Sequence, residues 1–346
     1  MIRNFKLTLA LGVVLAGATL LPATFATAAT RYRVSVTLPA TLSSNLPLLR
    51  LHFSAPTKAS ALPALTTRPA LTTKWQQIGP REVQAVLTSA LKPSTAYTIS
   101  TPTLMTCTKT CRFSATRPRV ASALTNFTWE AQLLAELHYV PLTFAPSSTA
   151  SDPTQQVSGT FTWAYPNLPT ALSAQWRLGT DNVVLRAALM TFQSQSNLTV
   201  TGEVDATTWS HLSAAALANK VDPAPYNYVD VSMALPETLT LYIAGQAKSH
   251  FIVNTGISVA PTATGTYPVY ERFLTTTMSG TNPDGSHYSD SGIPDVSYFN
   301  GGDALHGFIR STYGWPQSLG CVEMPFASAA AVFPHTPIGT LVTVRA

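Results

Sequence analysis

The chain has 346 residues, a formal net charge of +5 and 45% hydrophobic residues. Only 11% of residues are charged, yet aromatic content is ordinary, with 6 Trp, 12 Tyr and 14 Phe; low charge with ordinary aromatics excludes a disordered chain. The length calls for two or three domains, and so small a net charge without a lysine or arginine stripe excludes nucleic acid as a partner.

Residues 1–29 read as an export signal. Arg3 and Lys6 precede an uncharged apolar run from Leu7, and Ala26 and Ala28 supply the small-x-small pattern of a cleavage site. An uncleaved anchor is the alternative, because the uncharged stretch approaches the length of a membrane span. Pro22 and the small residues favour cleavage, and no Cys follows the run to carry a lipid. The membrane is then a partner only before cleavage. Removing Arg3 and Lys6 lowers the net charge from +5 to +3.

Export implies an oxidising environment. Cys107 and Cys111 stand four apart in CTKTC. A straight strand holds such residues too far apart to bond, so the segment is expected to turn at Thr108–Thr110 and close a Cys107–Cys111 disulfide. No further Cys or His lies nearby, so no metal site is expected. Cys321 is left over, either as an inert core thiol or as a reactive one.

Residues 30–120 alternate like strands in RYRVSVTL, LLRLHFSA, EVQAVLTSA, AYTIS and CRFSATR, separated by Pro, Ser and Thr clusters. The expectation is an immunoglobulin-like β-sandwich acting as spacer or adhesion module, with His52 on its surface. Residues 121–222 change to helical spacing. Leu133, Leu134 and Leu137 share one face, and Val184, Leu185, Ala188, Leu189 and Phe192 another. Thr180 or Asp181 is expected to cap the second helix and Asp205 the third. His138 and His211 read as surface residues. After a Pro-containing linker, residues 223–346 return to strands, with a long irregular excursion over residues 278–302 expected to form a lid or binding loop. The fold class is therefore multidomain and mainly β: sandwich, small three-helix module, second sandwich.

Cys321 needs a base, because an ordinary thiol is only slightly ionised at neutral pH. His250, His287, His306 and His335 lie in the same domain. His306 ends the apolar strand DALHG and is placed to face a site; the others read as surface or packing residues. Gly320 lets the chain turn sharply and leaves room for a substrate, with backbone N–H groups near 319–321 available to an oxyanion.

Two resemblances add to this. NVVLRAALMTFQSQSNLTVTGEVDATTW resembles the three-helix peptidoglycan-binding domain, through Phe192, Gln193, Leu198, Val200, Gly202, Asp205, Thr208 and Trp209. Thr255-Gly256, Thr262, Gly265, Tyr267, His306-Gly307, Ser318, Gly320-Cys321-Val322 and Gly339-Thr340 resemble, in order, the YkuD-type catalytic domain of L,D-transpeptidases.

The first resemblance implies binding of glycan strands or stem peptides; the second implies a cell-wall Cys enzyme with no cofactor that acts on peptidoglycan stem peptides. It implies that Cys321 is the nucleophile, His306 the proton acceptor and donor, and the Gly307 carbonyl the group that orients His306. Gly320 and Cys321 would hold the oxyanion, and Tyr298, Ser318 and Leu319 would meet the substrate. The expected reaction forms a thioester with a tetrapeptide stem, releases D-alanine and transfers the acyl group to an amine. The alternatives are a carboxypeptidase or endopeptidase using water, or a non-catalytic peptidoglycan-binding protein. The chain departs from the pattern twice: Leu319 stands where a His is usual, and Glu323 where an Arg is often found.

Overall fold

The computed structural model describes residues 31–346, except 38–40, 43–46, 63, 89–90, 94, 101, 108–110, 116–118, 124–125 and 150–151. The export segment expected over residues 1–29 lies outside the described residues. The architecture is mainly β, with five sheets and few helices among the described residues.

The first core is closed by two sheets. Leu49–Phe53 alternates buried and exposed, so Leu49, Leu51 and Phe53 point to one face. It pairs with Arg31–Thr37 and Glu82–Leu87 inside a six-stranded sheet. Tyr97 and Ile99 of Ala96–Ser100, in a four-stranded sheet, close on the same apolar cluster. Every residue of that cluster lies between Leu42 and Ile99. The strands Pro102–Cys107 and Cys111–Ala115 form a hairpin whose register sets Cys107 opposite Cys111. Their side chains lie outside the described residues. His52 is exposed, with Nδ1 3.2 Å from Glu82 Oε1.

Helices Phe127–Glu136, Val183–Gln195 and Ala206–Leu217 build the second core around Leu133, Leu134, Leu189, Phe192 and Leu212. The rings of Trp129 and Trp209 meet edge to face at 4.7 Å. Each helix starts on a side-chain cap: Asn126, Asn182 and Asp205 accept from the N–H groups of Trp129, Leu185 and Thr208. The cap of the middle helix is thus Asn182, one residue past Asp181, because its shorter reach to Leu185 N satisfies an orphan donor at 3.1 Å. His138 and His211 are exposed.

Gln193 explains its place in the motif. Its buried amide oxygen accepts from the N–H groups of Thr201 and Gly202, both at 2.9 Å, while Nε2 donates to Thr201 Oγ1, Glu203 O and Thr208 Oγ1. One side chain therefore holds the turn between the last two helices. The proline-rich stretch between the first two contains a hairpin, Leu142–Pro146 with Gly159–Trp163.

The third core lies between a five-stranded sheet and a four-stranded sheet. In the first, Asn227–Ser232 and Leu341–Arg345 run parallel at the centre. In the second, Glu271–Thr281, His287–Asn300, Asp303–Gly307 and Val322–Met324 lie in that order. The excursion at 278–302 is not structureless: Glu271–Thr281 and His287–Asn300 form one long antiparallel hairpin.

The helical part packs on the five-stranded sheet. Leu168, Leu172, Val184 and Ala187 share a cluster with Tyr228 and Leu341, and Thr191 Oγ1 donates to Ile338 O at 3.2 Å. Gly339, at φ +88°, touches this helix: a Cβ there would overlap Thr191 Oγ1 and Ala187 O.

Candidate active site

Two short strands set the site. Asp303–Gly307 and Val322–Met324 pair in parallel, with Leu305 opposite Val322 and His306 opposite Glu323. Leu305, Val322 and Met324 enter the core. Side chains alternate along a strand, so Ala304, His306 and Glu323 take the other face, and Cys321, one step before the ladder, joins them. That face opens on a cleft of about 840 Å³ lined by His306, Cys321, Glu323, Asp303, Arg310, Tyr298, Tyr288 and Leu319. Met278 and Ser279 of the long hairpin cover one wall.

His306 is 3% exposed, and its Nδ1 lies 3.0 Å from Gly307 O. A carbonyl only accepts, so Nδ1 carries the proton and Nε2 keeps its lone pair. Burial, the largest influence, holds the imidazole below its usual pKa, so the ring is neutral at pH 7. Cys321 Sγ lies 3.6 Å from Gly302 O. Burial pushes the thiol up to about 12, and the negative charges of Asp303 and Glu323 add to this, against a backbone hydrogen bond from Ala304. The cleft therefore holds a protonated thiol and a neutral imidazole.

The turn before Cys321 is tied from within. Ser318 Oγ donates to Cys321 O at 2.6 Å and accepts the Gly320 N–H at 3.2 Å. Ser318 is 1% exposed. At rest the hydroxyl of Ser318 and the N–H of Gly320 are thus both engaged within the turn. Gly320 adopts φ +119°, a region that favours glycine. A Cβ there would overlap Asp303 Oδ1, so Asp303 occupies the space beside it.

The Thr-Gly and Thr motifs hold this turn in place. Ser318 N and Ile257 N bond across to Thr255 O and Ser318 O at 3.0 and 2.9 Å. Thr255 is held from below by fully buried Glu237, which accepts its N–H and its hydroxyl, both at 2.6 Å. Thr262 Oγ1 accepts the Gly256 N–H at 2.8 Å.

Sequence spacing does not single out Asp303, Arg310 or Glu237. Arg310 Nε and Nη2 donate to the two oxygens of Glu323, each at 2.8 Å, and the guanidinium lies 4.7 Å over the Phe308 ring. The Glu323 departure is therefore matched by a cation from another segment. Tyr298 and Leu319 line the cleft. His250 and His287 are exposed on Thr240 and Thr281 hydroxyls, and neither they nor His335 line it.

Residues 226–344 match the family model of the L,D-transpeptidase catalytic domain, and residues 177–212 that of a peptidoglycan binding domain. No curated protein matches the chain. Among solved structures, an L,D-transpeptidase from Mycobacterium smegmatis is 11% identical, covering 91% of this chain and 99% of its own at a TM-score of 0.32. L,D-transpeptidase 3 from Mycobacterium tuberculosis is 13% identical, covering 90% and 98% at 0.33. The catalytic domain of the E. faecium L,D-transpeptidase is 23% identical, covering 36% of this chain and 100% of its own at 0.32. Scores this low carry no weight for function, which rests on the domain matches and the site.

Proposed function

We propose that this chain, with an L,D-transpeptidase catalytic domain over residues 226–344 and a peptidoglycan binding domain before it, is an exported cell-wall acyltransferase. Cys321 attacks a carbonyl of a peptidoglycan tetrapeptide stem and releases the terminal D-alanine. A stem-peptide amine then resolves the thioester into a cross-link. The observation that carries this reading is that Cys321 and a buried, neutral His306 line one cleft, with Nδ1 of His306 committed to the Gly307 carbonyl and Nε2 left as an acceptor.

Because the thiol rests protonated, its proton leaves only as attack begins. Nε2 of His306 takes it, the Gly307 carbonyl supports the imidazolium through Nδ1–H, and the same proton goes to the departing amine. With the Gly320 N–H spent on Ser318, the oxyanion falls to the Cys321 N–H. Tyr298 and Leu319 wall the substrate channel together with the 271–300 hairpin, and Ser318 positions the nucleophile.

The other parts take supporting roles. Residues 1–29 direct export and are removed. Residues 30–120 are an immunoglobulin-like spacer, supported by two sheets on one apolar core. Residues 121–222 are a three-helix module that holds glycan strands or stems, and 223–346 is the catalytic unit. Cys107 and Cys111 form a disulfide, supported by their register; the native protein is expected to titrate one thiol, and three would remove the bond from this account.

The test of the reaction is intact-protein mass after incubation with a carbapenem and with a disaccharide-tetrapeptide, for wild type and Cys321→Ala. Wild type is expected to gain an adduct with both and Cys321→Ala with neither. A wild type that gains no adduct overturns the enzyme reading, and an adduct that forms but yields only hydrolysed stem replaces transfer with hydrolysis.

A further inference from the structure

The carboxylate of Asp303 lies directly against the turn that carries Cys321, in the space a Gly320 side chain would fill. Its Oδ2 is fixed, accepting from the Ala263 N–H at 3.1 Å and from Asn300 Nδ2 at 3.4 Å. Its Oδ1 accepts no hydrogen bond from the described residues. The residue is half-buried and lines the cleft beside Cys321.

A carboxylate here opposes ionisation of the neighbouring thiol, since a like charge disfavours a second one. It works against acylation, the first half of the proposed reaction. Its place makes chemical sense if it serves the second half. The remaining charges of the cleft point the same way: its lining holds three carboxylates, Asp290, Asp303 and Glu323, against one guanidinium, Arg310. Glu323 consumes that guanidinium in a two-point pair. The cleft is left with negative charge to offer, which suits a cationic group.

Resting on the acyl-transfer reading above, we infer that Asp303 is the residue that selects the acceptor: it binds the ammonium of an aliphatic primary amine beside Cys321 and so favours aminolysis of the thioester over hydrolysis. The amine nitrogen forms the C–N bond while the C–S bond breaks, its electron pair going to sulfur. The ammonium loses one proton to the Asp303 carboxylate, which passes it to solvent, and a second through His306 to the departing sulfur. A thioester and an alkylammonium thus give an amide, a free thiol and one proton in solution.

The experiment compares wild type with Asp303→Asn, which keeps an acceptor for the Ala263 N–H. Both are acylated with the disaccharide-tetrapeptide, and the thioester is divided between water, Nα-acetyl-lysine amide and hydroxylamine, which is uncharged at neutral pH. Asp303→Asn is expected to acylate faster, because a charge opposing the thiolate is gone. Its ratio of lysine-amide product to hydrolysis falls about tenfold, the worth of one charge-assisted hydrogen bond, while capture by hydroxylamine keeps its ratio to hydrolysis. An unchanged lysine-amide ratio, or a parallel fall with hydroxylamine, overturns the assignment of Asp303 and leaves the acyl-transfer reading standing. Failure of wild type to form the thioester overturns that reading and the inference with it. Should Asp303→Asn not fold, wild type supplies the test: its preference for the lysine amide over hydroxylamine falls as salt is raised if charge selects the acceptor, and a preference indifferent to salt refutes this.

Discussion

Glu323 stands opposite His306 in the ladder, so the ring feels a carboxylate from one side and the paired Arg310 behind it. Burial lowers the imidazole pKa most, the Gly307 carbonyl and Glu323 raise it, and Arg310 lowers it. The outcome lies below the ordinary 6.5 of an imidazole, so the ring stays an acceptor at a pH where a free imidazole is already charged. Carbapenem acylation is therefore expected to hold its plateau through pH 6.5 and to fall only at more acid pH. Arg310→Ala removes a cation and leaves Glu323, 5% exposed, without its partner. The acid limb then moves to higher pH, and urea unfolding shows a loss of about 1–3 kcal/mol, the penalty of an orphaned buried acceptor. A limb that stays in place would mean Glu323 does not act on the ring. The stability sign follows from the same lowered pKa. As pH falls through the unfolded value, the unfolded His306 takes up a proton that the folded ring refuses, so stability is lost in that direction.

At the scale of elements, the site strands are short but legible. In DALHG and CVEMP the core residues Leu305, Val322 and Met324 alternate with His306, Cys321 and Glu323, and a period of two survives even in three residues. The hairpin of Glu271–Thr281 and His287–Asn300 is the opposite case. Over TTTMSG half-buried Thr276, Met278 and Gly280 alternate with exposed neighbours, but only one of the three inward residues is apolar, so the usual strand signal is missing from the sequence. Only its tip announces itself: in NPDGS, Asn282 N bonds to Ser286 O at 2.7 Å and Ser286 N to Asp284 Oδ1 at 2.9 Å. Asp303, Arg310 and Glu237 stay invisible for another reason. Their partners Gly320, Glu323 and Thr255 lie 13 to 18 positions away, and nothing local encodes the pairing. Gly339 of the Gly339-Thr340 motif carries a packing cause that sequence alone leaves open. Gly339→Ala forces a non-glycine into φ +88° and drives a methyl into Thr191 and Ala187. Left-handed strain costs about 1–3 kcal/mol and overpacking about as much again. The helix Val183–Gln195 is expected to lift from the sheet, read as faster proteolysis between residues 218 and 226 and a lower melting temperature. Unchanged proteolysis in that stretch would show that the contact is not what docks the module.

Across the whole molecule, the apolar clusters divide unevenly. The first contains nothing beyond Ile99, whereas Tyr228 and Leu341 of the five-stranded sheet are buried at 0% and 1% in a cluster with Leu168, Leu172, Val184 and Ala187 of the helical part. Cutting the chain at these two places is therefore not equivalent. A chain beginning at Asn126 keeps the cap of the first helix and every residue of the clusters around Trp129, Tyr228 and Val229. A chain beginning at Asn227 exposes Tyr228 and Leu341 together, and full burial of one such side chain is worth about 1.5–3 kcal/mol. The expected result is that the Asn126 chain acylates with a carbapenem within about twofold of the full protein, since interactions in separate cores add independently. The Asn227 chain melts lower by several degrees, because about 1 kcal/mol moves the melting temperature by about 2–8 °C in domains of this size. Equal melting temperatures for the two would show that the helical part rests on the sheet without stabilising it; a shorter chain that also loses acylation while still folded would tie the helical part to the cleft itself.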